Sequence, residues 1–376
     1  MPTLAEIDPG ALAAAAAKAT GCEEIELDDW RQDAIHSAFN QATAGLYRIS
    51  GTGSVAGETV PWSLILKVVQ ASDDKFGGSD DPGHANYWKR ELLIYQSGLL
   101  ERIPGVRAPR CFGVEQVNSV VARIWLEDVP DHLGSRWNPA VFDLAARRLG
   151  EFNGAYLVGR PLPPAGYLSR HWLRSFVGDF ATAFNQLPLL RDHPIVQRCW
   201  PDGLLDRVLQ LWDERHAFLD TLERLPQTFC HLDAFPRNLL IEHSSQDVVA
   251  VDWSFAGVGA IGSELAPMVA ATVAFFDAEP ERMGTIDRLV FNGYLNGLQK
   301  AGWRGDSQVV RLGYTAAVSL HYGLFPMGIL ILDDGLRDRF ERVFVHSTAD
   351  IVDRWARATD FLLARADEAR QLMAVV

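Results

Sequence analysis

His231-Leu-Asp233-Ala-Phe-Pro-Arg237-Asn238-Leu-Leu-Ile-Glu242, followed after a polar turn by Val251-Asp252-Trp253, is the stretch on which the reading of this chain rests. Asn238 to Glu242 and Asp247 to Val251 are short apolar runs, and the polar residues between them make the pair a hairpin. Asn238 and Asp252 then offer oxygens from its two arms and can converge on a hard cation, which prefers carboxylate and amide oxygens. Asp233 lies on the loop leading into the hairpin, where a carboxylate can orient a hydroxyl and accept its proton. These groups suit Mg-dependent phosphoryl transfer, which runs chiefly on positioning and on stabilising charge at the phosphoryl oxygens.

The order His231-x-Asp233-x-x-x-x-Asn238 with a trailing Asp252 resembles the aminoglycoside phosphotransferase and choline-kinase-like family, relatives of the protein kinases. The resemblance covers roughly residues 36 to 275. It implies an α+β, two-lobed protein-kinase-like fold, with a small antiparallel-sheet N-lobe and a larger, mainly helical C-lobe. It also implies ATP between the lobes, Mg2+ on Asn238 and Asp252, and a small-molecule hydroxyl acceptor facing Asp233. Arg237 stands close enough to help neutralise the transferred phosphoryl group, or else braces the loop on a nearby carboxylate. His231 reads as structural. Glu264 stands where the family usually has Asp and reads as a loop brace, and Leu232 replaces a frequent Gly.

Upstream residues extend the pattern. Lys67 interrupts the apolar, β-prone run Trp62 to Val69, where it would reach the α- and β-phosphates. Glu91, on the helix that follows, resembles the carboxylate partner holding that lysine. The segment Asn40 to Gly45 is taken as the phosphate-covering loop, with Thr43 and Gly45 near the phosphates. The alternative, Gly51-Thr-Gly53-x-x-x-Gly57, leads to Pro61 and a strand, whereas a dinucleotide motif opens a helix. Ile124 to Pro130 resembles the interlobe hinge, with backbone groups from Glu127 to Val129 meeting adenine.

The expected division is residues 1–126 for the N-lobe, 127–131 for the hinge and 132–376 for the C-lobe. In the N-lobe, Thr43 to Ile49 and Trp62 to Val69 should form a hairpin with a long, glycine-loosened turn. Cys111 to Glu115 and Ser119 to Leu126 are further strands, and a helix runs from Asn86 to about Leu100. Gly10 to Thr20 is alanine-rich and reads as a short surface helix; Glu6 and Asp8 exclude a leader peptide, and the run is too short to span a bilayer. Helices are expected over Phe142 to Tyr156, His171 to Phe184, Gly203 to Leu225 and Arg282 to Ala301.

A length of 376 residues favours two lobes, and the net charge of −13 argues against general nucleic-acid binding. The four cysteines are far apart, which points to a cytoplasmic protein without disulfides or zinc. Only eleven residues separate Asp252 from Glu264, and an apolar run, Leu265 to Phe276, follows at once. That leaves no room for a peptide-docking platform and favours a small acceptor, with no membrane or nucleic-acid partner. Asp333, Asp334 and His321 are polar candidates for its pocket; Trp253, Tyr322 and Phe325 are candidate stacking surfaces. A catalytically silent, nucleotide-binding regulatory protein of the same fold is the alternative, and a metal-dependent hydrolase fits less well, since such sites gather more His and Asp ligands.

Overall fold

The structure is a computed structural model that describes residues 7–35, 42–72, 77–242, 247–324 and 334–376. The helix α1 (Pro9–Thr20) precedes three antiparallel strands, β1 (Glu26–Ala34), β2 (Thr43–Val55) and β3 (Glu58–Gln70). The β2–β3 turn is tighter than its sequence suggests. Ala56 and Gly57 alone form it, with φ of 51° and 86°, the left-handed pair that matches strand twist in a two-residue hairpin. Gly51 lies within β2 instead of loosening a loop. A Cβ there would stand 2.2 Å from the Asp29 carbonyl oxygen, so glycine lets β1 pass close by.

A short helix, α2 (Arg90–Gln96), leads to β4 (Cys111–Asn118) and β5 (Val121–Glu127), completing a sheet of order β1-β2-β3-β5-β4. The alanine-rich helix is not a surface element. Leu12, Ala15, Ala16 and Ala17 are buried with Ile49, Trp62, Leu64, Leu66 and Trp125, the small side chains letting α1 settle onto the sheet. Asp8 caps α1 by accepting from the Ala11 amide at 2.9 Å, and left-handed Gly21 ends it. α2 covers the opposite face, where Leu92 and Tyr95 join Val69, Ala122 and Ile124. It is shorter than the expected Asn86–Leu100 helix because left-handed Gly98 intervenes before a 3₁₀ turn at Leu99–Arg102.

The larger lobe opens with α3 (Pro139–Leu157), α4 (Trp172–Asp179), α5 (Ala181–Phe184), α6 (Pro194–Cys199) and α7 (Leu204–Arg224). Four short strands follow: β6 (Gln227–Cys230), β7 (Leu239–Ile241), β8 (Val248–Ala250) and β9 (Gly257–Ala260). They pair as β6 with β9 and β7 with β8. The helices α8 (Leu265–Ala274), α9 (Met283–Lys300) and α10 (Ser307–Val318) lead into a π turn, Ser319–Gly323; α11 (Asp334–Phe344) and α12 (Thr348–Met373) close the chain. The continuous helix expected over His171 to Phe184 is instead divided at Phe180. Among the described residues, no helix is long and apolar enough to cross a membrane.

Arg107 ties the lobes together beside the hinge. Arg107 pairs with β8 through its backbone, its amide donating to Val248 O at 3.0 Å and its carbonyl accepting from Ala250 N at 2.8 Å. Its guanidinium meanwhile binds Glu127, at the end of β5, at 2.9 Å, and also Glu242. Beside it, Asp128 accepts from Arg48 at 2.8 and 3.0 Å and from the Ser63 hydroxyl at 2.5 Å.

α3 and α9 approach so closely that side chains are excluded between them. A Cβ on Gly297 would lie 2.0 Å from Arg147 O, and one on Gly150 would lie 2.2 Å from Tyr294 O. Gly297→Ala must push the helices apart, and overpacking of this kind costs about 1–3 kcal/mol. Urea unfolding of Gly297→Ala should show that loss; an unchanged midpoint would contradict the close packing.

Candidate active site

Strand periodicity places the first charge. Leu64 and Leu66 face α1, so Lys67 and Val69 face α2. Lys67 Nζ lies 2.5 Å from the Glu91 carboxylate and 2.8 Å from Asp252 Oδ1, with only 5% of the lysine side chain exposed. Glu91 also accepts from the Trp253 amide at 3.1 Å. Burial opposes the lysine's charge, yet Asp252 and then Glu91 outweigh it and raise its pKa. The same lysine outweighs burial at Asp252 and lowers that carboxylate's pKa. Asp252 itself is left-handed, with φ 60° and ψ 70°. That conformation is one that aspartate tolerates better than most residues.

The loop after β6 is fixed from both sides. His231 Nε2 donates to Val251 O at 2.9 Å, and its Nδ1 accepts from the Asp233 amide at 3.2 Å. One nitrogen donates and the other accepts, so the imidazole is neutral; burial takes its pKa down to about 4. Glu264 accepts from the amides of His231 and Leu232, each at 2.9 Å. Asn153 on α3 donates to Phe229 O at 2.8 Å and to Glu264 at 3.4 Å, and accepts from the Tyr294 hydroxyl of α9 at 2.7 Å. Thus the glycine-packed helix pair sets the position of the loop. Leu232 adopts φ 66°, a left-handed conformation that costs a branched residue about 1–2 kcal/mol and accounts for the glycine expected there. Its burial with Trp172 and Cys230 offsets part of that cost.

Asn238 Nδ2 donates to Asp233 Oδ2 at 2.8 Å and to its carbonyl oxygen at 3.0 Å. Burial, followed by the Asp252 charge, raises the Asp233 pKa well above its ordinary value, against the opposing Asn238 hydrogen bond. Five of the residues singled out in the sequence, Lys67, Glu91, Asp233, Asn238 and Asp252, therefore meet in one polar cluster.

The donor set can be tested against a magnesium-bound nucleotide. With the Asn238 nitrogen committed to Asp233, the amide oxygen is the group left for a cation. Asp252 keeps a third of its side chain accessible beside it. Among the described residues, no three His, Cys, Asp or Glu side chains form a metal cage. Magnesium beside a nucleotide needs none, since it takes one or two protein oxygens and completes its shell with phosphate and water. The residues fit such a group.

The remaining sequence candidates are placed differently. Arg237 is held by Asp277 at 2.8 and 3.0 Å and by Phe275 O at 2.7 Å, the bracing arrangement. Thr43 and Gly45 lie in β2, paired with Val69 and Val68, while Asn40 and Gln41 fall outside the described residues. The Glu127 amide donates to Arg110 O at 2.9 Å and its carboxylate holds Arg107, so neither is free for adenine. Val129 is buried. Trp253 is no stacking surface for an acceptor: it is fully buried against Phe152, Phe229 and His231. Tyr322 lies near enough for the Asp233 charge to reinforce burial in raising its pKa. Asp333 and Phe325 lie outside the described residues, and Asp334 begins α11. Asn153 and Tyr294 were not anticipated; both sit inside helices, where no local pattern marks them.

His321, in the π turn, is enclosed by the rings of Trp172, Phe176 and Tyr322. It also lines a cavity whose charged groups are Arg170, Arg174, His171 and Glu223. Burial lowers its pKa from 6.5 to about 3. The unfolded chain therefore binds this proton first, and stability present above about pH 6.5 is lost as pH falls towards 3. His321→Leu should reduce the stability lost between pH 7 and pH 4.5 by about 2–3 kcal/mol. Urea titrations at the two pH values check this; an equal loss in both proteins would contradict the neutral, buried imidazole.

A family model described as "Phosphotransferase enzyme family" matches residues 93–301, more than half of the chain and all of the loop and hairpin described above. Lys67 and Glu91 precede that span. No protein of curated function matches the sequence. Among solved structures, the chain is similar to the amicoumacin kinase hAmiN in complex with AMP-PNP, Ca2+ and Ami, with 14% identity, 95% and 94% of the two chains covered, and a TM-score of 0.52. It is also similar to a choline kinase from Cryptosporidium parvum Iowa II, with 12% identity, 92% and 90% coverage, and a TM-score of 0.53. At these identities the likeness is one of fold: the two-lobed, protein-kinase-like architecture of small-molecule kinases.

Proposed function

The chain belongs to the phosphotransferase enzyme family and is a kinase, and we propose that it transfers phosphate from Mg-ATP to a hydroxyl of a small molecule. The observation carrying this reading is the meeting of the Lys67–Glu91–Asp252 triad with the Asp233–Asn238 pair. In this reading Lys67 binds the α- and β-phosphates, and Glu91 keeps the lysine extended. Asn238 and Asp252 would hold Mg2+, which when bound neutralises charge on the phosphates. Asp233 orients the acceptor hydroxyl and takes up its proton. His231 and Glu264 keep the loop in place without touching substrate. Residues 1–126 and 132–376 are the proposed lobes, joined at 127–131, and the cytoplasm is the proposed setting, in keeping with four free cysteines.

The chosen experiment has two stages. Mg-ATP at a hundredfold excess over its dissociation constant should stabilise the protein by about 2.7 kcal/mol, read as a thermal shift. Labelled ATP is then offered with panels of sugars, amino alcohols and aminoglycosides. Transfer to one of them supports the proposal; nucleotide binding without transfer to any hydroxyl across a broad panel would count for a silent binding protein.

A further inference from the structure

Arg90 is fully buried and, among the described residues, engages no carboxylate. Its guanidinium donates instead to five backbone carbonyls: Tyr167 at 3.0 Å, Ala85 at 2.7 Å, Ser254 at 2.8 Å, Pro82 at 3.3 Å and His84 at 2.6 Å. Burying a cation is costly unless its donors are satisfied, and the planar guanidinium satisfies them here with carbonyl dipoles alone. Burial takes its pKa down to about 10, which leaves it charged at neutral pH.

The acceptors come from three separate segments: the loop just before α2, the segment before α4, and the turn after Asp252. Arg90 and Glu91 are consecutive on α2, and they grip consecutive residues of that turn. Glu91 takes the Trp253 amide at 3.1 Å, and Arg90 takes the Ser254 carbonyl at 2.8 Å. Lys67 closes the arrangement on Asp252. α2 belongs by sequence to the small lobe, yet Tyr167 and Ser254 belong to the large one.

We propose that Arg90 is a positioning residue that fastens α2 to the large lobe and so keeps Lys67, Glu91 and Asp252 assembled without nucleotide. The helix then has no swung-out state, and the site is preformed instead of built on binding. The catalytic consequence rests on the function proposed above, whereas the mechanical one does not.

Hydrogen exchange on the free full-length protein tests the mechanical part. Amides of residues 91–96 should be protected without nucleotide and change by less than about threefold on adding Mg-AMP-PNP. Protection that rises tenfold or more on binding would overturn the proposal. R90K keeps the charge but cannot span five carbonyls; it should exchange about tenfold faster or more at 91–96 and 253–256, with α9 unaffected. With the acceptor that the substrate panel identifies, its KM for Mg-ATP should rise about tenfold while the KM for that acceptor stays within about twofold. A folded R90K with wild-type exchange in both segments would also overturn the proposal. If R90K does not fold, the wild-type exchange decides alone. Absence of any Mg-AMP-PNP binding would sink the function proposed above, while protection of 91–96 in the free protein would still report on Arg90.

Discussion

Asp233→Ala is expected to lower kcat by about 10²–10⁴-fold while leaving the affinity for Mg-ATP within about twofold. The separation follows from the geometry. Lys67 and Asp252, the groups proposed for the phosphates and the metal, are joined to each other, and Asn238 keeps its bond to the Asp233 carbonyl oxygen when the carboxylate is gone. Alanine removes the carboxylate but keeps the loop, because the Asp233 amide still reaches His231 and Glu264 still holds the two preceding amides. Single-turnover kinetics beside calorimetric ATP binding would separate the effects. Full activity in Asp233→Ala would remove the assigned role, and an equally inactive Asp233→Asn would show that the charge matters beyond the hydrogen bond to Asn238.

Lys67→Met should be the most damaging change to stability. It leaves Glu91, with 1% of its side chain exposed, facing Asp252 with no cation between them. Breaking one member of a buried ion pair costs about 3–5 kcal/mol, mainly because the remaining charge stays desolvated. The double variant Lys67→Met with Glu91→Leu should recover much of that loss, since apolar side chains of similar size can replace a buried pair at little cost. It should not recover phosphate transfer. Urea unfolding of both variants measures the first expectation and a transfer assay the second. If the double variant were no more stable than Lys67→Met, the buried charge at Glu91 would not be the source of the loss.

The polar cluster was legible in the sequence because it depends on side-chain type at fixed spacing. The Asp233–Asn238 pair is read from one loop, and Asp252 from the hairpin that the loop enters. The family model and the structural likenesses bear out the kinase fold expected from those residues. What could not be read was set by distant packing. β6 and β9 are four residues long, and β9, Gly-Val-Gly-Ala, has little strand character until it pairs. β1 was missed for a similar reason: Glu26–Ala34 carries acids on a mostly exposed edge. α1 was misread as a surface helix because alanine is neutral to burial until a sheet lies beneath it. Asn153 and Arg90 are invisible in one dimension, since their partners lie on segments far away in the chain.

Arg107 has a mechanical consequence for how the cleft can breathe. Main-chain pairing to β8 and a guanidinium shared by Glu127 and Glu242 bolt the two halves together at the hinge, and the Arg90 contacts to Tyr167 and Ser254 fasten them a second time through α2. With two fastenings instead of one, the sheet can rock only about the line that joins them, like a door hung on two hinges. Added salt, by softening the partly exposed Arg107 pairs, should loosen the hinge fastening before it disturbs the deeply enclosed charges inside.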